Sequence, residues 1–233
     1  MRDVIIALDV PTKDHVTTFL EPFKGENLYV KVGMELFYRE GLSVIYALKE
    51  QGHRVFLDVK LHDIPETVKR TMQQLSSLEV DMVNVHALGG KRMMEAARVG
   101  LTNPTSTLLA VTQLTSSSEE MIRGEQQLAI SLEKSVLSLS SHAKESGIDG
   151  VVCSALEAEG IKKQNGSSFL TVTPGVRLAG SDRHDQVRVV EPKDAIHSDY
   201  LVVGRDITRS EHPVASYRTY IEEWGKASCK TSQ

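Results

Sequence analysis

Eight short runs of Val, Ile and Leu recur along the chain, and they constrain its fold more than any other feature. They lie at residues 5–8, 28–32, 55–59, 82–85, 108–111, 150–153, 169–172 and 200–203. Each has the composition of a strand buried on both faces. Helical periodicity separates most of them. Leu42, Ile45 and Leu48 share one face, with Gly52 as the stop signal. Ile64, Val68, Met72 and Leu75 form a second stripe. Leu128, Leu132, Val136, Leu139 and Ala143 form a third that ends at Gly147, and Val214, Tyr217, Ile221 and Trp224 form the last. Weaker helical patterns cover 14–20, 92–99 and 156–161, while 177–197 reads as a polar loop. Alternating strands and helices predict a parallel sheet. Eight such units in 233 residues match a (β/α)8 barrel, typically about 250 residues long. The expected fold is therefore an α/β TIM barrel, one domain over residues 1–225, with 226–233 as a frayed tail. A doubly wound open sheet is the alternative. No Gly-x-Gly-x-x-Gly follows the first run, which counts against its dinucleotide-binding version.

The run at 55–59 ends in charge. By strand alternation Asp58 and Lys60 share one face, and Leu57 and Val59 take the other. Asp63 adds a second carboxylate. Pro65 and Glu66 read as the start of a helix, with Asp63 and Glu66 at capping-box spacing. Buried charge is costly unless paired, so an acid–base–acid set at a strand end is a candidate active site. Asp63 could equally be a plain helix cap.

In a barrel, function belongs at the C-terminal ends of the strands. Those ends carry Asp9, Lys31, Asp58 with Lys60, Asn84 with His86, then Thr112, Gln113 and Thr115. The seventh and eighth carry Thr173, Gly175, Arg177, Gly204 and Arg205. Singly, each has an ordinary reading: Asp9 as a turn residue, Lys31 as a structural ion-pair partner, Thr115 as a cap, and His86 as a satisfied core histidine, which suits it better than catalysis. Their coincidence at one end is the signal. Glycine and arginine in the last two loops suit a phosphate. The polar loop at 178–188 reads as a lid, with Gln186 as its best amide donor.

Composition removes several classes. The net charge of -4, without a basic block, gives no case for nucleic acid. No apolar run approaches the ~18 residues needed to span a membrane. Cys153 and Cys229 form neither a disulfide framework nor a metal motif, and a reducing cytoplasm is the expected compartment. Metal is not expected: Lys60 between Asp58 and Asp63 would compete with a cation, and no His/Cys cluster has ligand spacing.

The stretch Asp58-Val59-Lys60-Leu61-His62-Asp63-Ile64-Pro65 resembles the Asp-x-Lys-x-x-Asp signature of the orotidine 5′-phosphate decarboxylase family. Asp9, Lys31-Val32-Gly33, Val111-Thr112-Gln113-Leu114-Thr115-Ser116, Thr173-Pro174-Gly175-Val176-Arg177, Asp185-Gln186 and Val203-Gly204-Arg205 extend the likeness over the chain, in the form of the bacterial branch. The resemblance implies a homodimer without cofactor that converts orotidine 5′-phosphate to UMP and CO2 in pyrimidine biosynthesis. It implies Lys60 as proton donor to C6, Asp58 against the substrate carboxylate, and Asp63 reaching in from the other subunit. Asp9, Lys31 and Thr67 would serve the ribose region, Thr115 the pyrimidine, and Arg177, Gln186, Gly204 and Arg205 the phosphate. Two alternatives stay open: a Mg2+-dependent sugar-phosphate decarboxylase or synthase of the same superfamily, and a non-catalytic barrel that binds nucleotide phosphates. Lys31, where the sugar-phosphate enzymes would carry an acidic ligand, counts against the first. Intact Lys60, Asp58 and Asp63 count against the second.

Overall fold

The computed structural model describes residues 2–178 and 189–229. Eight parallel strands close into a barrel in sequence order, and β1 pairs with both β2 and β8. The strands are β1 (Asp3–Ala7), β2 (Tyr29–Gly33), β3 (Arg54–Leu61), β4 (Met82–His86), β5 (Thr107–Val111), β6 (Gly150–Val152), β7 (Leu170–Pro174) and β8 (Tyr200–Val203). The helices outside are α1 (Lys13–Leu20), α2 (Met34–Glu40), α3 (Leu42–Glu50), α4 (Pro65–Ser76), α5 (Lys91–Gly100), α6 (Glu119–Gly124), α7 (Leu132–Glu145), α8 (Ala155–Asn165), α9 (Arg205–Thr208) and α10 (Pro213–Cys229). This is the expected single-domain (β/α)8 fold.

Strand alternation divides the core in two. Ile5, Ala7, Tyr29, Phe56, Met82, Leu109, Val172 and Val202 fill the barrel. Ile6, Val30, Leu57 and Val83 face outward and pack with helix residues such as Val68, Met72 and Val136. At the N-terminal end of the barrel the Arg54 guanidinium lies 4.5 Å over the Tyr29 ring and pairs with Asp3, and Tyr200 meets Tyr29 edge-on. That end of the barrel interior is filled, and the cavity described below opens at the other.

Three apolar stripes each differ at one residue from the expectation. The buried face of α3 is Val44, Ile45 and Leu48, and Leu42 is 45% exposed. On α10 Tyr217, Tyr220 and Trp224 are buried, and Ile221 is 43% exposed. Ile64 precedes α4 and is 67% exposed, so its stripe is Val68, Met72 and Leu75. Candidates four residues apart also satisfy a three-residue spacing with their neighbours, and only packing chooses between them. Leu128 lies before α7, whose N-cap is Ser131. Short α2 and α6 carried no periodic signal. Between β7 and β8 the described chain forms one 3-10 turn, Pro192–Asp194, and a parallel bridge pairs Val176 with Val190. The bridge lies on either side of the proposed lid at 178–188, of which only Leu178 lies within the described residues.

Candidate active site

Asp58 is the centre of a charged network at the C-terminal end of the barrel. It points inward from β3 beside Phe56 and is 9% exposed. The Lys60 ammonium donates to its Oδ1 at 2.7 Å, and the Lys31 ammonium lies 3.3 Å from its Oδ2. Lys31 also lies 3.6 Å from Asp9 Oδ1, so two ammoniums and two carboxylates alternate in one chain of contacts. Burial works against the Asp58 carboxylate, but Lys31, Lys60 and the hydrogen bonds outweigh it and hold its pKa below the usual carboxylate value. Burial also works against the Lys31 ammonium, and Asp58 and Asp9 outweigh it, so its pKa stands above the ordinary lysine value. Each charge is tolerable because its neighbours are present.

Lys60 does not follow simple strand geometry. Its φ is +48°, and the β3–β4 register shifts between Leu57 and Leu61. A left-handed lysine costs roughly 1–2 kcal/mol. The fully buried Asn84 on β4 offsets it. Its Oδ1 accepts the Lys60 backbone N–H at 2.7 Å, and its Nδ2 donates to Asp58 Oδ1 at 2.7 Å. One amide thus sets both the backbone of the lysine and the carboxylate it faces. Asn84 was legible only as a polar residue at a strand end. An amide inside an otherwise apolar strand was the available signal, since a buried amide must find partners.

The second centre lies at the ends of β7 and β8. Gly175 has φ +81°, which glycine adopts without strain, and the turn sends Arg177 back toward the barrel. Arg177 Nη1 donates to Asp206 Oδ1 at 2.9 Å, and the Tyr220 hydroxyl donates to Asp206 Oδ2 at 2.6 Å. Asp206 and Tyr220 had no role in the sequence reading, because nothing local links α9, α10 and the end of β7. Gly204 leaves little room for a side chain. A Cβ there would sit 2.8 Å from Asp9 Oδ2.

One cavity of about 290 Å³ joins the two centres. Asp9, Lys31, Asp58, Lys60, Thr115, Arg177, Gly204 and Arg205 all line it, together with Gln113, Ser116 and Cys153. Asp63 and Thr67 do not: both are exposed on the turn after β3 and on α4. Asp63 is not the helix cap. Ile64 holds that position, Pro65 begins the helix, and among the described residues Asp63 Oδ1 accepts just the adjoining Ile64 N–H, at 2.6 Å. Thr115 is not a cap either, since Ser118 caps α6. Thr112 and Thr173 are spent on barrel hydrogen bonds. Gln186 lies outside the described residues. His86 accepts the Leu88 N–H on Nδ1 and stacks on His62 at 5.5 Å. Burial, then His62 and Lys60, push its pKa down to about 4, which leaves it neutral near neutrality.

The arrangement can hold an anion at one end and supply an ammonium proton at the other. Among the described residues no group of three His, Cys, Asp or Glu could hold a metal ion. No helix there is long and apolar enough to cross a membrane.

Comparison with known proteins gives the same direction. A family described as orotidine 5′-phosphate decarboxylase / HUMPS matches residues 2–220. An orotidine 5′-phosphate decarboxylase of a Geobacillus species is 54% identical over 228 residues, spanning 94% of this chain and 95% of its own. One of Listeria monocytogenes is 54% identical over 231 residues, spanning 96% of this chain and 99% of its own. The crystal structure of the Lactobacillus acidophilus orotidine 5′-phosphate decarboxylase superposes with a TM-score of 0.85 at 40% identity, covering 96% of this chain and 99% of that one. By sequence and by fold, this chain belongs to the orotidine 5′-phosphate decarboxylase / HUMPS family.

Proposed function

We propose that this chain decarboxylates orotidine 5′-phosphate to UMP and CO2, the last step of UMP biosynthesis, in the cytoplasm and without a cofactor. The observation that carries the reading is a single cavity. It has an alternating Asp9–Lys31–Asp58–Lys60 network and the two guanidiniums of Arg177 and Arg205 on its wall. Relatives at 54% identity bear the decarboxylase name.

The chemistry needs this arrangement. When the bond from C6 to the carboxylate breaks, the electron pair stays on C6, with no adjacent π-system to spread it. Charge grows there only in the transition state, so a fixed ammonium stabilises that state selectively. Lys60 donates its proton to C6 as CO2 leaves. Asp58 lies against the substrate carboxylate and keeps Lys60 aligned. The whole effect required is ~23 kcal/mol, beyond any one contact. Binding energy at the distant phosphate, gripped by Arg177, Gln186, Gly204 and Arg205, helps order the reacting end. Asp9 and Lys31 serve the ribose side, and Thr115 the pyrimidine.

The active unit is a homodimer in which Asp63, with Thr67, completes the neighbour's site. Two features support this. Asp63 is exposed and outside its own cavity, and Met34, Tyr38, Leu42, Tyr46, Ile64 and Leu88 expose apolar surface on its own barrel unit and the two that flank it in sequence. The Mg2+-dependent sugar-phosphate branch is disfavoured because Asp9 and Asp58 each already contact the Lys31 ammonium, leaving a cation to compete with it. The decisive assay follows the loss of orotidine 5′-phosphate absorbance with and without EDTA. Turnover unaffected by chelation is expected. No turnover, or turnover that returns only with Mg2+, overturns the reading.

A further inference from the structure

We propose that Asp206 and Tyr220 are positioning residues for the phosphate end of the site, acting through Arg177. The inference rests on the reading above that Arg177 and Arg205 grip a phosphate. Arg177 lines the cavity yet is only 6% exposed, and its ion pair with Asp206 is almost wholly shielded from water. The two Asp206 oxygens are divided between two donors. Oδ1 accepts from Arg177 Nη1 and Oδ2 accepts from the hydroxyl of the fully buried Tyr220. That hydroxyl also accepts the Leu178 backbone N–H at 3.2 Å. The chain leaving β7 is therefore held twice, through the Arg177 side chain and through the Leu178 backbone, by one Asp–Tyr pair on α9 and α10.

Three points turn this packing motif into a positioning device. First, neither Asp206 nor Tyr220 lines the cavity, so neither meets a ligand directly. Second, Arg177 Nε is buried and has no hydrogen-bond partner among the described residues. A buried unpaired donor is unusual in a folded protein, and an anion oxygen is the acceptor a guanidinium takes best. Pinning Nη1 to Asp206 fixes the guanidinium plane and leaves the Nε–H for such an oxygen. Third, Asp206 follows Arg205 in sequence. The same short helix supplies one phosphate-side cation and the carboxylate that aims the other.

The test uses the full chain with Tyr220→Phe, which removes one oxygen and keeps the ring, and Asp206→Asn, which removes the charge. Calorimetry measures binding of UMP and of uridine, which lacks the phosphate, and steady-state kinetics follow orotidine 5′-phosphate. Tyr220→Phe is expected to weaken UMP about tenfold and Asp206→Asn about 10- to 100-fold, with uridine unchanged. The kcat/KM should fall in step. On an Arg177→Ala background neither substitution should weaken UMP further. UMP affinity like that of the parent, equal weakening of UMP and uridine, or full additivity with Arg177→Ala overturns the inference. A lowered melting temperature with unchanged UMP affinity does so too, because the pair is then only a structural tie. If the parent binds UMP but does not decarboxylate, the functional reading falls, and the UMP-to-uridine ratio still judges Asp206 and Tyr220.

Discussion

The Asn84 amide and the Asp58 carboxylate meet at 2.7 Å inside the barrel, and the other end of the same amide accepts the Lys60 backbone N–H. The contact joins β4 to β3 where their register slips. It fixes the Asp58 carboxylate in place and holds Lys60 in a left-handed conformation through one rigid planar group. Removing it would leave a buried N–H unpaired and let the lysine relax.

Asn84→Ala should therefore lower kcat by about 10- to 100-fold, from the loss of one charge-assisted and one neutral hydrogen bond, with a smaller change in KM. Steady-state kinetics check this. An unchanged kcat would mean that the amide positions nothing.

Lys60→Ala should abolish turnover and leave the barrel folded. Asp58 would still face Lys31 and Asn84, so its charge stays compensated. Circular dichroism and melting should resemble the parent while decarboxylation disappears. Parent-like activity would remove Lys60 as proton donor.

The shared-site proposal makes an arithmetic prediction. Lys60→Ala and Asp63→Ala homodimers should both be badly impaired. In a mixed dimer one site inherits both defects and the other neither, so random exchange at equal amounts restores roughly a quarter of all sites. Activity that stays at the average of the parents, with heterodimers demonstrated, would confine Asp63 to its own chain.

Gly204→Ala probes the crowding between β8 and Asp9. The new Cβ would fall 2.8 Å from Asp9 Oδ2, the tip of a side chain that is 51% exposed and free to swing. The cost should appear as displacement of Asp9 from Lys31 and not as unfolding. The expected result is a melting temperature within a few degrees of the parent, about 2–4 °C being the cost of 1 kcal/mol in a domain of this size, with a clear fall in kcat/KM. A large loss of stability with normal kcat/KM would contradict it.

Stability should depend on pH through His86. Its folded pKa, pushed down to about 4 from an ordinary 6.5, means the unfolded chain binds more protons between those values. Stability therefore rises with pH across that window and is lost as pH falls through it. His53, also lowered by burial, contributes with the same sign. Denaturant titrations from pH 7 to pH 4 should show the decline, and His86→Asn should flatten it. An unchanged slope in that variant would mean that His86 is not the group responsible.

The barrel was legible because its strands are short apolar runs and its order needs no long-range information. Once eight βα units are recognised, a parallel sheet buried on both faces follows from composition alone. The charged positions at 9, 31, 58, 60, 177 and 205 were legible for a related reason. In this fold the end of each strand points at one mouth, so a residue's place in its own unit gives its place in the site. Periodicity was weaker at the helices, and Leu42, Ile64 and Ile221 were assigned to buried faces that packing leaves exposed.

Tertiary structure alone decided the contacts between units. Asn84 reaches Asp58 and Lys60 across a register shift, and Asp206 reaches Arg177 and Tyr220 across segments 29 and 14 residues apart. The left-handed φ of Lys60 belongs to the same class, because the stabilising acceptor lies on another strand. Local patterns record which residues are apolar and where the chain turns, since those preferences act over a few residues. They do not record which buried polar groups satisfy one another, because that depends on where closure of the barrel brings distant strands together, and only the folded chain contains that distance.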